Sequence, residues 1–474
     1  MQESLKKGQE LTVTVDGLAF GGKGFCRYHD LVVFIERALP DQTVRIRISR
    51  QKQNYAEAKI LEVIQESPFA IAPRCPHFGL NGCGGCLWQN LNYTTQLEFK
   101  QQQVQDCLEH LGGFTNFQTE KILPADPIFF YRNKMEFSFS DRPWYPDVTT
   151  IPENGPQLAL GLHVPKRFDR ILDITDCQLL SPLSNQILAT VKEFARNSGI
   201  KPWCAREHTG FWRHLVAREG KNTGQLMLNL VTSPRPEHFP ALDELAQQLH
   251  QTFPEITTII HTVNRKPSDT AVGEVEKILL GPGRIVEQLD NLKFIISANS
   301  FFQTNSYQAK KLYDQIAELA ALTGSEVVYD LYCGTGTISC YLAAQAARVI
   351  GFELVPQAIQ DANENLRLNN ISNCRFIEGD LKDQFVQNAS TTSHLPSPDV
   401  LITDPPRAGM HPEVIQQIVK HRPPKIIYVS CNPATFARDV KLLSESGYEL
   451  QQVRPVDMFP HTAHCEVVGV LVGK

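Results

Sequence analysis

Two strand ends late in this chain carry groups that could do chemistry. Leu401-Ile402-Thr403 runs into Asp404-Pro405-Pro406-Arg407, and Ile426-Ile427-Tyr428-Val429 runs into Ser430-Cys431-Asn432-Pro433. In an open parallel sheet, ligands sit beyond the carboxyl ends of the strands. A thiol there can act as a nucleophile, and a carboxylate can bind a ligand or move a proton. An isolated cysteine is more often an inert core group. Cys431, however, stands at a strand end between Ser and Asn-Pro, not in mid-strand.

The elements that must position this pair form an ordered series. Strand Glu326–Leu331 ends in Asp330-Leu331-Tyr332-Cys333-Gly334-Thr335-Gly336-Thr337. A glycine turn between strand and helix lets backbone approach a ligand. Arg348–Phe352 ends in Glu353, an acid suited to a ribose diol. Cys374–Glu378 is followed by Gly379-Asp380, an acid placed for an adenine amino group. A fourth strand ends in Asp404. Any one of these is weak evidence, and the ordered series is specific. Residue 339 is Ser, so no full Gly-x-Gly-x-x-Gly exists. That disfavours a nicotinamide cofactor and favours S-adenosylmethionine. Phe301-Phe302-Gln303-Thr304-Asn305 is expected to close the same pocket. Residues 301–474 therefore read as a doubly wound α/β methyl-transfer domain.

A second set of thiols stands far upstream. Cys75, Cys83 and Cys86 have the spacing Cys-x7-Cys-x2-Cys, with Gly84-Gly85 inside it. Glycines let backbone N–H groups approach sulfur, which favours a metal or cluster nest. Zinc and a [4Fe–4S] cluster both need a fourth ligand. Cys177, between a strand and a turn, is the expected one. Cys107 competes, but it falls beside core leucines in a helix over 93–111. The Cys-x3-Cys-x2-Cys spacing of radical adenosylmethionine chemistry is absent, so a structural site is expected.

The rest of the chain bounds these readings. Its 474 residues suffice for two to four domains, and 42% hydrophobic with 20% charged residues describes a globular protein. A net charge of −5 confines any nucleic-acid surface to local patches. No apolar h-region opens the chain and no run reaches spanning length, so a cytoplasmic protein without membrane spans is expected. Twelve cysteines in such a chain suggest metal or catalysis before disulfides. Residues 1–66 show short alternating strands with Gly turns, a small OB-like β-barrel. Arg45 and Arg47 share one face of its third strand and would suit a phosphate backbone. Residues 67–300 form a β-rich central region with a cation- and aromatic-bearing strand over 131–139, suited to unpaired bases, and a loop over 144–156.

The chemistry can then be specified. Uracil C5 is a poor nucleophile until a thiolate adds at C6. A base must afterwards take the C5 proton. Cys431 supplies the thiol. Glu466, in Pro460-His461-Thr462-Ala463-His464-Cys465-Glu466 before the final strand, supplies the carboxylate, with His461 and His464 as alternatives.

At these residues the chain resembles the RNA 5-methyluridine methyltransferases, the RumA/RlmD and TrmA group. The likeness is greatest to the cluster-containing 23S rRNA (uracil-C5) branch and spans nearly the whole chain. It is carried by GLAFGGKGFCR and Ala56–Ile60 of a TRAM-like start, the cysteine set, FFQTN, DLYCGTGT, DPPRAG, SCNPATFARD and HTAHCE. The resemblance implies a multidomain α/β architecture: a TRAM domain, a central domain with a [4Fe–4S] cluster on Cys75, Cys83, Cys86 and Cys177 (zinc being the alternative), and a Rossmann-like methyltransferase domain. It implies Cys431 as nucleophile and Glu466 as base. Gln303, Tyr332, Thr337, Glu353, Asp380 and Asp404 would hold S-adenosylmethionine, although some relatives carry Asn at the place of Thr337. It implies 23S rRNA as substrate with tRNA as the alternative, a monomer, and packing of helix 93–111 on the catalytic domain. The chain departs from the pattern in the x7 gap, in Cys465 where Val is usual, and in a polar insert near 387–398. A non-catalytic RNA-binding protein would keep the fold without needing Cys431 or Glu466. An exocyclic N-methyltransferase would carry Asn-Pro-Pro-aromatic in place of Asp404-Pro405-Pro406-Arg407.

Overall fold

The computed structural model describes all residues except 1–4, 148, 150, 152–157 and 386–394. Most of the loop expected over 144–156 and of the insert over 387–398 lies outside them.

Near the amino end, six strands pair in the order Glu10–Thr14, Thr43–Gln51, Tyr55–Gln65, Leu31–Glu36, Gly24–Tyr28 and Gly17–Leu18. Alternation puts Val44, Ile46 and Ile48 on the core side with Val33 and Ile35. Arg45 and Arg47 face outward, but cross-strand register sets them beside carboxylates. Arg45 pairs with Glu10 at 3.0 Å and Glu62 at 2.9 Å, and Arg47 pairs with Glu10 at 2.7 Å. The expected row of phosphate-ready cations is thus a row of exposed ion pairs, each worth little.

The central region is built on an eight-stranded sheet. Lys134–Ser140 lies inside it, between Trp212–Glu219 and Ala159–Val164. Met135, Phe137 and Phe139 are core residues under helices Pro182–Asn197 and Phe239–Thr252. The aromatics expected to stack on bases therefore fill the interior instead.

The catalytic sheet contains β1 (Val327–Leu331), β2 (Arg348–Glu353), β3 (Cys374–Glu378), β4 (Val400–Thr403), β5 (Lys425–Ser430), β6 (Tyr448–Val456) and β7 (Glu466–Gly473). Their order is β3-β2-β1-β4-β5-β7-β6, with β7 antiparallel to both neighbours. The first five are parallel; β1, β2, β4 and β5 are mostly apolar, as strands covered on both faces must be, and β3 is the partly exposed edge. The core of this unit begins earlier than residue 301. Ile285, Leu289, Phe294 and Ile296 of a preceding hairpin pack with Ile316, Val349 and Ile427.

Helix α1 (Tyr93–Asp106) is capped by Asn92, whose side chain accepts from the Thr95 N–H at 3.0 Å. A wider turn, Cys107–Gly112, continues it. Val104, Cys107 and Leu108 enter the catalytic core beside Tyr329 and Phe436, so Cys107 is a packing thiol. Gln118–Thr119 then adds a parallel strand beyond β6. The docking is fixed by a buried ion pair. Lys100 Nζ lies 2.5 Å from Asp457 Oδ1, both side chains are inaccessible to solvent, and the Tyr93 hydroxyl donates to Asp457 Oδ2 at 2.8 Å. Lys100 Nζ also donates to the Phe459 carbonyl at 3.0 Å. Removing one member strands a buried charge. Lys100→Met is expected to lower stability by about 3–5 kcal/mol, read as a denaturant midpoint shift at unchanged m-value. Adding Asp457→Leu should recover much of that loss.

Candidate active site

The carboxyl ends of β1, β2, β4 and β5 open on one cavity of about 1060 Å³. Gln303, Tyr332, Glu353, Asp380, Asp404, Cys431 and Glu466 all line it. Thr337 does not. It begins helix α2 (Thr337–Leu342) and accepts a hydrogen bond from the Tyr313 hydroxyl at 3.2 Å, behind the glycine turn. Phe301, Arg407, His411 and His464 also face the cavity.

The turn after β1 is held from β2. The Gly334 N–H donates to Glu353 Oε2 at 3.0 Å and the Val355 N–H to Oε1 at 2.9 Å. Each oxygen keeps a lone pair for a ligand hydroxyl. The Asp380 carboxylate accepts from the Lys382 N–H at 3.0 Å, which fixes its direction.

The loops after β4 and β5 interlock. Asp439, in helix α3 (Pro433–Glu445), is fully buried and accepts from the Met410 N–H at 2.8 Å and the Tyr428 hydroxyl at 2.6 Å. The Arg438 guanidinium donates to the Ala408 carbonyl at 3.0 Å, and the Asn432 amide to the Arg407 carbonyl at 3.3 Å. Gly409 has φ +80°, and a Cβ there would meet Arg438 Nη2 at 2.4 Å and Asp439 Oδ2 at 2.6 Å. This contact ties the two strand-end motifs together. Gly409→Ala is expected to cost about 1–3 kcal/mol and to raise KM for the methyl donor, measured by thermal unfolding and steady-state kinetics.

Electrostatics set the resting protonation. Burial pushes the Glu466 carboxyl up to about 8, with the Asp404 carboxylate adding to it. Burial lifts Asp404 to about 7, aided by Asp330. The Cys431 thiol is raised to about 11 by burial and by Glu466 and Asp404, against the pull of Arg407. Cys431 therefore rests as a thiol beside two carboxyl groups. His461 is buried, with its backbone N–H donating to Gln96 Oε1 at 2.9 Å, and lies off the cavity. His464 is exposed and lines the cavity.

A carboxyl raised on folding makes the folded state hold more protons than the unfolded one. Between its ordinary value of 4.5 and about 8, Glu466 thus makes stability fall as pH rises. Glu466→Gln should melt above the parent at pH 8, with the gap narrowing toward pH 5. Thermal scans across that range measure it.

The upstream thiols also converge. Cys75, Cys83, Cys86 and Cys177 lie close enough that charge on one resists charge on others. Backbone N–H groups of His77 and Gln178 point at the Cys75 sulfur, and those of Leu179 and Leu180 at Cys177. Gln89, which the spacing did not indicate, links two of the cysteines. Its amide donates to Cys86 Sγ at 3.2 Å, and its oxygen accepts from the Cys75 N–H at 3.0 Å. Gly84 has φ +72°, and a Cβ there would meet Pro165 at 2.3 Å. Arg37 reaches in from the amino-terminal barrel, with Cys83 and Cys86 among its charge neighbours. Its Nη1 is buried without a hydrogen-bond partner. Among the described residues, no three His, Cys, Asp or Glu side chains could hold one metal ion directly.

Comparison with known proteins decides the family. Residues 271–474 match the tRNA (uracil-5-)-methyltransferase family, and residues 4–61 match the TRAM domain. An RNA methyltransferase of Chlorobaculum tepidum is 39% identical, over 98% of this chain and 96% of its own. The chain belongs to the RNA (uracil-5-)-methyltransferase family. Another RNA methyltransferase, from Porphyromonas gingivalis, is 42% identical over 97% of this chain and 99% of its own. The crystal structure of Pyrococcus abyssi tRNA (uracil-54, C5)-methyltransferase with S-adenosyl-L-homocysteine is similar at a TM-score of 0.75 and 30% identity, covering 98% of this chain and all of that one. This methyltransferase is therefore an S-adenosylmethionine-dependent enzyme acting on RNA, with a TRAM domain ahead of a Rossmann-like domain. No helix among its described residues is long and apolar enough to cross a membrane.

Proposed function

We propose that this enzyme methylates C5 of a uridine in 23S ribosomal RNA through a covalent bond from Cys431 to C6. The observation that carries the reading is that Cys431 and Glu466 open on one cavity with Asp404 and the acids of β2 and β3. As the sulfur of Cys431 bonds to C6, its thiol proton passes to the solvent to which this half-buried side chain is open. The C5–C6 π electrons then make C5 nucleophilic. S-adenosylmethionine supplies the electrophilic methyl group when bound. Once C5 carries the methyl, the Glu466 carboxylate takes the C5 proton. The released electron pair restores the double bond and expels the Cys431 thiolate. Glu353 binds the ribose diol, Asp380 the adenine amino group, and Gln303, Tyr332 and Asp404 complete the pocket. Thr337 is left out, because its hydroxyl is engaged by Tyr313 away from the cavity.

Cys75, Cys83, Cys86 and Cys177 hold a [4Fe–4S] cluster in this reading. Sulfur-directed N–H groups and the unpartnered Arg37 Nη1 support a negatively charged group there. A four-iron cube also spreads its thiolates more widely than one tetrahedral zinc ion does. A visible absorption spectrum of anaerobically purified protein tests this: an iron–sulfur band supports it, and zinc by elemental analysis without the band contradicts it.

The ribosomal target rests on the likeness to the cluster-containing branch. A tRNA target is the second reading, favoured by the full-length similarity to the Pyrococcus abyssi tRNA enzyme. The enzyme acts as a monomer in the cytoplasm. Transfer of labelled methyl to unmodified 23S rRNA and tRNA transcripts separates the two. Label in a 23S uridine is expected, and label confined to tRNA would replace the target while keeping the chemistry.

A further inference from the structure

Outside the cavity, planar side chains stack outward from His461, in the loop that precedes Glu466. His461 lies against Phe129, with ring centres 4.3 Å apart and planes inclined by 27°. The Arg74 guanidinium lies 5.2 Å from the Phe129 ring centre and 4.7 Å from that of Phe130. The two phenylalanines are half-buried and Arg74 is exposed. Among the described residues Arg74 forms no ion pair, so these rings are its partners. The rings are firmly seated. The Phe130 N–H donates to the Gln178 carbonyl at 3.0 Å, and the His461 carbonyl accepts from the N–H groups of Leu87 and Trp88 at 2.8 and 3.1 Å.

An exposed guanidinium without an ion-pair partner, seated over two aromatic rings, is a surface that a nucleobase can extend. Unpaired RNA bases stack on aromatic faces and on arginine planes. Such stacking is tolerant of base identity and adds to backbone attraction. The stack leads inward to His461, three residues before the cavity-lining His464.

We propose that Arg74, backed by Phe129 and Phe130, is a shelf on which an unpaired base of the substrate RNA stacks beside the target uridine. This rests on the RNA-methylation reading and adds a specific contact to it. A base docked on Arg74 over these seated rings sets the distance from that nucleotide to Cys431. It also gives the amino-terminal side of the cysteine set a direct part in holding RNA.

The test uses the full-length enzyme and the rRNA or tRNA transcript that it methylates, with 2-aminopurine placed in turn at unpaired positions flanking the target. At one position the fluorescence should be quenched on binding. Arg74→Ala and Phe130→Leu should each lose that quench and raise KM for the RNA by about tenfold, with S-adenosylmethionine affinity unchanged. Arg74→Lys should behave as Arg74→Ala, because it keeps the charge and loses the plane. Full activity and quench in Arg74→Lys would overturn the shelf in favour of a phosphate contact. Unchanged quench and KM in Phe130→Leu would overturn it too. If the parent enzyme methylates no uridine at all, the functional reading itself fails. If it methylates normally and only the variants show no effect, this inference alone fails.

Discussion

Cys431→Ala should reduce methyl transfer to uridine by roughly 10⁴-fold or more, the scale on which loss of a covalent nucleophile is felt. S-adenosylmethionine should still bind with parental affinity, because the residues that line its side of the cavity are held by other elements. The Glu353 carboxylate is fixed by the Gly334 and Val355 N–H groups, and Asp380 by Lys382. The Asn432 cap of helix α3 uses its own side chain on the Ala434 N–H at 3.1 Å, so the thiol can be removed without unseating the turn. Equilibrium binding of the methyl donor, together with single-turnover transfer, separates loss of chemistry from loss of structure.

Glu466→Gln should stop the reaction at a later point. The amide fills the same space and cannot accept the C5 proton, so turnover should fall by about 10²–10⁴-fold while the methylated adduct accumulates. A protein–RNA species stable to denaturing electrophoresis is the expected product. In the parent enzyme, Glu466 is raised to about 8, so the rate of adduct resolution should climb as pH rises toward and through that value. The variant should lose this limb. If Glu466→Gln turns over with the parental pH profile, another group takes the proton, and the cavity-lining His464 becomes the candidate.

The parts of this molecule legible in the sequence are those in which function sits at the end of a local pattern. Each parallel strand of the catalytic unit is a short apolar run closed by an acid, a glycine turn or a thiol. The same residues mark both the strand end and the pocket, and seven of the eight expected pocket and catalytic residues line the cavity. Thr337 differs because a helix start leaves two directions open to a side chain, and packing against Tyr313 chose the inner one. What could not be read was set by long-range register. Arg45 and Arg47 looked like free cations, and Glu10 and Glu62 neutralise them only through strand pairing. The alternation of Met135, Phe137 and Phe139 was itself a signal for a buried strand face, obscured by Arg132 and Lys134 just before them. Lys100 lies 357 residues from Asp457, and nothing local marked it, since the buried face of its helix also carries Thr95, Gln96 and Gln103. Arg37 gave no local sign at all, since its relation to the thiols comes from how the barrel meets the central region.

The central claim is the bond between Cys431 and C6. An RNA transcript carrying 5-fluorouridine at the methylated position blocks loss of the C5 substituent, so Glu466 has no proton to remove. Incubated with S-adenosylmethionine, the enzyme should form a stable adduct. Mass spectrometry after protease and nuclease digestion should find a methylated fluorouridine on the peptide containing Cys431. Full binding of that RNA with no adduct, or with the adduct on another cysteine, would contradict the account.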